Sequence, residues 1–231
     1  MHSQAIMDNV RRLREEIAES AQKVSKTGDA ITLVAATKTQ SAQTVRMAVE
    51  AGVDACAENR VQELLEKDAA DAYAGVPLHF IGHLQKNKIR KVTGTAALIQ
   101  SVDSLDLLQG VDRCAGELAC KQDILVQVNV GNDRDKFGID PKELEGFLEQ
   151  AEALQHIRIR GLMTMLPILS NPRETRALYA QMYQIYVDIS NKIYHNIKMD
   201  FLSMGMSGDY QDAILEGANM IRIGSTIFGD R

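Results

Sequence analysis

The stretch ITLVAATKTQ, residues 31–40, decides how the rest of the chain is read. Ile31, Leu33, Val34, Ala35 and Ala36 form a nearly unbroken apolar run with β-branched members, the pattern of a strand covered on both faces. Lys38 stands where that run gives out, between Thr37 and Thr39 and just before a helix that opens near Ser41. In parallel α/β architectures ligands bind at the carboxyl ends of the strands. A lysine placed there can lose its proton to burial and attack a carbonyl to form a Schiff base. The plainer reading of the same residue is a solvated lysine at a strand-to-helix turn. This stretch by itself leaves both open.

Working outward, Ile6, Val10, Leu13, Ile17, Ala21 and Val24 recur at steps of three and four, which predicts an amphipathic helix over about residues 4–26, ended by Gly28 and Asp29. After Lys38 comes a helix capped by Ser41 and stopped by Gly52. Strands are then expected at 31–37, 54–57, 78–81, 97–101, 123–130, 157–164, 200–204 and 219–224. Helices alternate with them, one begun by Asp140-Pro141, a long one from about Pro172 to Ile193 and a short one from Asp209 to Glu216. Eight such units predict a single-domain α/β protein, a (β/α)8 TIM barrel over residues 1–231, with an open doubly wound sheet as the alternative. The strands end on Lys38, Asn59, Gly82, Ser101, Asn129, Thr164, Ser203 and Gly224, polar or glycine each time. A closed barrel gathers all of them into one mouth.

The composition narrows the function classes. A net charge of −5 without a broad basic face argues against nucleic acid as the natural partner. The run Lys86, Lys88, Arg90, Lys91 reads as a solvated helix face. Cys56, Cys114 and Cys120 are odd in number and lack metal-ligand spacing, which points to a reducing compartment; Cys56 reads as a buried apolar residue. His79 and His83 bracket a strand end without a third ligand, so no metal site is expected. No apolar run is long enough to span a membrane and no signal-peptide core opens the chain, so a cytoplasmic protein is expected. No dimerising domain is visible, and a monomer is expected.

The last third carries the densest chemistry. SMGMSGDY, residues 203–210, puts glycine and serine immediately before a helix, and Arg222 precedes a second turn, IGST. Gly/Ser turns after the seventh and eighth strands are where barrel enzymes often hold a phosphate. Either turn alone is weak evidence, since most such turns only turn the chain. Arg222 alternates with Met220, Ile221 and Ile223 in a way that points it into the barrel. An inward arginine needs a partner, and an ion pair with Glu58 or Asp103 stands beside a ligand role. The loop from Asn132 to Gly138 alternates acids and bases, suggesting local ion pairs at the mouth, and Met163, Met165, Met204 and Met206 fill core at strand ends by default.

In order along residues 31–229, the segments LVAATKTQ, ACAENRVQE, LHFIGHLQKNK, VQVNVGNDRDKFGI, GLMTM, FLSMGMSGDYQDAI and IRIGSTIFG resemble the pyridoxal phosphate homeostasis protein family, single-domain relatives of the alanine racemase barrel. The resemblance implies that Lys38 forms a covalent aldimine with pyridoxal 5′-phosphate. It implies that Ser207, Gly224 and Ser225 hold the phosphate, that Arg222 faces the pyridine nitrogen, that Asn59 and Met204 line the site, and that His83 lies close. It departs at Ser225, where the family more often has threonine, and in its short end at Gly229-Asp230-Arg231, which leaves open what covers the last strand.

A phosphate anchored between the two turns lets the aldehyde reach Lys38 on the opposite side of the mouth. Arginine only donates, so the pyridine nitrogen facing it stays unprotonated and the ring is a poor electron sink. The expected function is storage, buffering or delivery of the cofactor, with apo-enzymes that need it among the partners. An amino-acid racemase and a Schiff-base aldolase are the alternatives. Racemisation needs a second base; Tyr179, Tyr183, Tyr186 and Tyr194 fall on or beside a flanking helix, Tyr73 falls at the far end, and Tyr210 alone is expected near the site.

Overall fold

The stripe of Ile6, Val10, Leu13, Ile17 and Ala21 is buried along one side of α1 (His2–Gln22), in a computed structural model that describes residues 2–133, 136–167 and 171–229. The helix stops four residues short of the expected end. Ser25, at φ 59°, takes the left-handed turn at its end, and the amide of Lys26 bonds back to the Ala21 carbonyl at 2.9 Å. Gly28–Ala30 then forms a single 3-10 turn.

Eight parallel strands follow: β1 (Thr32–Ala36), β2 (Ala55–Glu58), β3 (Leu78–Phe80), β4 (Leu98–Val102), β5 (Gln122–Gln127), β6 (Ile157–Met163), β7 (Ile197–Ser203) and β8 (Met220–Ile223). They close in sequence order into a barrel, β8 pairing back onto β1. The chain is therefore an α/β barrel of one domain, and the open sheet is set aside. Between the strands lie α2 (Ala42–Glu50), α3 (Val61–Ala69), α4 (Ile89–Val92), α5 (Leu105–Glu117), α6 (Leu144–Ala151), α7 (Pro172–Ser190) and α8 (Tyr210–Leu215), and α9 (Ser225–Phe228) follows the last strand. Ser41 caps α2 by accepting from the Thr44 amide at 3.1 Å. The helix expected at Asp140 begins at Leu144 instead, because Asp140 Oδ1 accepts from the Lys142 amide and holds a turn ahead of it.

Two apolar layers hold this together. Leu33, Ala35, Cys56, Ile99, Ile124, Val126, Leu162, Leu202, Ile221 and Ile223 face outward into the helices. Val34, Ala55, Ala57, Leu98, Leu125, Met163 and Met220 fill the barrel's interior. Beneath them Arg160 bridges Asp123 at 2.7 Å and Asp200 at 2.6 Å, charges that partner one another at the amino end of the strands. The last strand is covered from the other end of the chain. Here α1 packs against α2, α8 and α9, and Asn9 donates to the Ile227 carbonyl at 3.0 Å. No helix among the described residues is long and apolar enough to cross a membrane.

Candidate functional site

The carboxyl ends of β1, β7 and β8 open onto a cleft of about 640 Å³. Lys38, Ser207, Arg222, Gly224 and Ser225 all line it, together with Thr39, Gln40, Met206, Gly208 and Asp209. Lys38 reaches it because Val34 and Ala36 face inward, and two residues further the same parity holds. Val34 pairs with Arg222 and Ala35 with Ile223. Lys38 thus stands in the turn just beyond β1, the strand next to the one that leads into the Gly/Ser turn of β8, which corrects the expectation that it waits across the mouth. Its side chain is exposed, so the expected burial around the amine is absent as well.

Arg222 is 3% exposed. Its guanidinium donates to Ser203 Oγ at 2.7 Å and to the Thr164 carbonyl at 2.9 Å, leaving three of its five N–H groups for the cleft. The expected carboxylate partners are engaged elsewhere: Glu58 pairs with Lys67 and Asp103 with His83. Burial lowers Arg222 to about 10, with Tyr179 and Asp209 opposing that shift, so it remains charged at neutral pH. The arginine's fixed donation sets the direction of a buried chain. Ser203 must pass its own proton to Gln100 Oε1 at 2.7 Å, and Gln100 Nε2 then donates to His79 Nδ1 at 2.9 Å. His79 is the neutral terminus, lowered to about 4 by burial.

That shift has a consequence for acid stability. An unfolded His79 titrates near its ordinary 6.5 and the folded one near 4, so between those values the unfolded chain holds more protons. Stability from this group is present above the upper value and is lost as pH falls through the window, by about 3 kcal/mol in all. His79→Gln keeps an acceptor for Gln100 and should flatten the fall in urea midpoint between about pH 7 and about pH 4. An unchanged slope in the variant would place the acid sensitivity elsewhere.

The turn after β7 is built for close approach. Gly205 has φ +94°, and a Cβ there would lie 2.6 Å from the Ala213 Cβ. Ser207 Oγ accepts from the amides of Gly224 at 3.2 Å and Thr226 at 3.4 Å, which stitches the two Gly/Ser turns together and frees its hydroxyl proton to donate. Among the described residues the amides of Ser207, Gly208 and Ser225 take no protein partner. Asp209 does not oppose an anion here with free oxygens, since Oδ1 accepts from Met206 N at 2.7 Å and Oδ2 from Tyr179 at 2.9 Å.

The remaining site residues fall outside the cleft. Met204 is fully buried in the outer core, because Ser203 takes the inward position and the next residue must face out. Asn59 lies against Gly82, where a Cβ would come within 2.0 Å of the Asn59 carbonyl oxygen, and its buried Oδ1 has no partner among the described residues. His83 pairs with Asp103 at 3.0 Å and stacks on Phe137 with ring centroids 3.9 Å apart. The ion pairs expected in the 132–138 loop involve Arg134 and Asp135, outside the described residues; Asn129 Nδ2 and Gln127 Nε2 donate to carbonyls in the described part. Lys86 pairs with Asp106 and Arg90 with Glu117, which makes that basic run part of an ordinary solvated surface. Cys56 is buried, and burial raises its thiol to about 12 with Glu58 adding to the effect.

The tyrosines are placed differently from expectation. Tyr210 turns away from the mouth and donates to Glu16 of α1, whereas Tyr179, on α7, reaches Asp209 in the cleft wall. Desolvation first and Asp209 second raise Tyr179 above its ordinary value, so its hydroxyl acts as a donor.

Unread in the sequence is a buried charge cluster behind β1. Lys67 Nζ donates to the Thr37 carbonyl at 2.8 Å, Glu58 Oε1 at 2.7 Å and Glu63 Oε2 at 3.1 Å. Glu58 Oε1 also accepts from Thr37 Oγ1 at 2.6 Å and from Tyr73 at 3.2 Å, which brings Tyr73's hydroxyl from the far end toward the mouth. Glu63 Oε2 accepts from the amide of Thr39 at 2.6 Å. Thr39 has φ 65°, a left-handed conformation that costs a non-glycine residue about 1–3 kcal/mol.

The family model described as alanine racemase, N-terminal domain, matches residues 1–231. A Synechocystis protein named pyridoxal phosphate homeostasis protein is 40% identical over 202 residues, covering 87% of this chain and 92% of that one. One of the same name from Aquifex aeolicus is 33% identical over 224 residues, 97% of each chain. The chain belongs to the pyridoxal phosphate homeostasis protein family. Among solved structures, PipY of Synechococcus elongatus with PLP bound, a protein 37% identical, superposes with a TM-score of 0.81 over 92% of this chain and all of that one. An alanine racemase from Clostridium difficile, 18% identical, shares the fold at a TM-score of 0.73 over 97% of this chain and 60% of its own. Members of the homeostasis family therefore span the same length as this barrel, whereas the racemase is longer.

Proposed function

We propose that this protein binds pyridoxal 5′-phosphate as an imine on Lys38 and serves cytoplasmic homeostasis of that cofactor, storing, buffering or delivering it to apo-enzymes, without strong catalytic activity. The observation that carries the reading is one cleft that joins Lys38 to the amides and hydroxyl of two Gly/Ser turns and to a buried arginine with no carboxylate hydrogen-bonded to it among the described residues. The amides and hydroxyl at Ser207, Gly224 and Ser225 suit a phosphate, and Arg222 suits a ring nitrogen that accepts. Asn59 and Met204 stay outside the proposed set because neither lines the cleft. The names of the relatives and the PLP-bound PipY support the same cofactor. Bound there, the cofactor would supply an aldehyde and a conjugated ring. The chain's part is to hold both ends of it and to keep a donor on its nitrogen. A racemase reading lacks its second base, since Tyr179 is already donating to Asp209 and Tyr210 points to Glu16.

The test is a titration followed by visible absorbance. Pyridoxal phosphate should saturate the protein well below the concentration at which pyridoxal does. Each hydrogen bond to the charged phosphate is worth about 1.5–3 kcal/mol, and Ser207→Ala should lose part of that difference. Loaded protein given L-alanine should racemise it no faster than free cofactor. Equal affinity for the two vitamers would remove the phosphate cradle, and turnover of about 1 per second or faster would make the protein a racemase.

A further inference from the structure

We infer that Glu63, braced by Lys67, is a positioning residue for Lys38: it holds the Thr39 side of the lysine's backbone, while Lys67 and Glu58 hold the Thr37 side, in the strained geometry from which the amine enters the cleft. The inference rests on the cofactor reading above and extends it to residues that never touch the cleft. Lys38 is exposed, and among the described residues its side chain has no partner to direct it. Its orientation must come from its backbone. That backbone is gripped on both sides, at the Thr37 carbonyl and hydroxyl by Lys67 and Glu58, and at the Thr39 amide by Glu63.

The grip is stiff for a physical reason. Thr39 is β-branched and left-handed, a conformation that persists only where surroundings over-determine it. Desolvation alone would raise the Glu63 carboxyl, yet the Thr39 amide and Lys67 outweigh it and hold it below the usual carboxylate range. The acceptor on Thr39 is thus a charged one, at the solvent-facing edge of the cluster, held in place by Lys67. Lys67 has all three of its donors used, so it fixes Glu63 and Glu58 together.

The covalent step sets what the positioning accomplishes. After an ammonium proton leaves to solvent, the Lys38 nitrogen bonds to the aldehyde carbon. The carbonyl oxygen then departs as water with both remaining amine protons, and a protonated imine takes its proton back from solvent. Misplacing the amine slows that step without altering how phosphate and ring are held.

The experiment compares unaltered protein with Glu63→Ala, Glu63→Gln and the double variant Thr39→Gly/Glu63→Ala. Two quantities are read: the rate at which imine absorbance grows on mixing with pyridoxal phosphate, and the affinity for pyridoxine phosphate, which carries an alcohol in place of the aldehyde. Glu63→Ala should slow imine formation about tenfold or more. Glu63→Gln keeps an oxygen for the Thr39 amide and should stay within about threefold. Glycine at 39 adopts the left-handed turn unaided, so the double variant should recover part of the loss. Pyridoxine phosphate affinity should hold within about twofold in Glu63→Ala and Glu63→Gln. An unchanged rate in Glu63→Ala, or parallel loss of both quantities, overturns the positioning role. Failure of the unaltered protein to form an imine overturns the cofactor reading instead, and this inference with it.

Discussion

Lys38→Ala is expected to abolish every covalent adduct with pyridoxal phosphate and to leave the urea midpoint where it was. The first half follows from placement: among the residues that line the cleft, Lys38 is the sole lysine. The second follows from exposure. An exposed side chain outside any buried network changes stability by no more than about 0.5 kcal/mol when truncated. The cradle at Ser207 and Ser225 and the guanidinium of Arg222 are untouched, so non-covalent binding should survive. Mass spectrometry after borohydride reduction checks the adduct, and equilibrium unfolding checks the fold. An adduct that persists in Lys38→Ala, on Lys86 or Lys88 for example, would defeat the assignment.

The largest loss of stability is expected from Lys67→Met. Glu58 is fully buried and one of its oxygens already lacks a partner, so removing the ammonium leaves a carboxylate that water cannot reach. Breaking one half of such a pair costs about 3–5 kcal/mol. Neutralising the other half as well, in Glu58→Gln/Lys67→Met, removes the stranded charge and should restore much of that loss. Urea unfolding of the single and double variants measures it. A single variant as stable as the parent would mean that water reaches Glu58 in solution.

Strand count and order were legible because each apolar run is bounded by polar or glycine residues, and the inward direction of Arg222 could be read from alternation within four residues of β8. Its partners could not be read. Ser203 and Thr164 lie 19 and 58 positions away, and which strand ends meet depends on barrel closure. The exchange of roles between Tyr179 and Tyr210 has the same origin, since each hydroxyl is placed by a distant carboxylate. The Glu58–Lys67 pair did leave a trace. Glu58 shares the helix-facing parity of Cys56 on β2, and Lys67 follows Leu64 by three residues on the strand-facing side of α3. Opposite charges on two facing apolar surfaces are a readable sign of a buried pair. The left-handed turn at Thr39 left none, because threonine is a poor residue for it.

The closing of β8 onto β1 also sets a schedule. The lysine is made in the first fifth of the chain, while the serines and arginine that would hold the cofactor's other end emerge within the last thirty residues. A nascent chain on the ribosome therefore carries the lysine for most of its synthesis with no cradle beside it. Non-local pairings of this kind are slow to form and come late. On the function proposed here, cofactor capture would thus report that the barrel has shut.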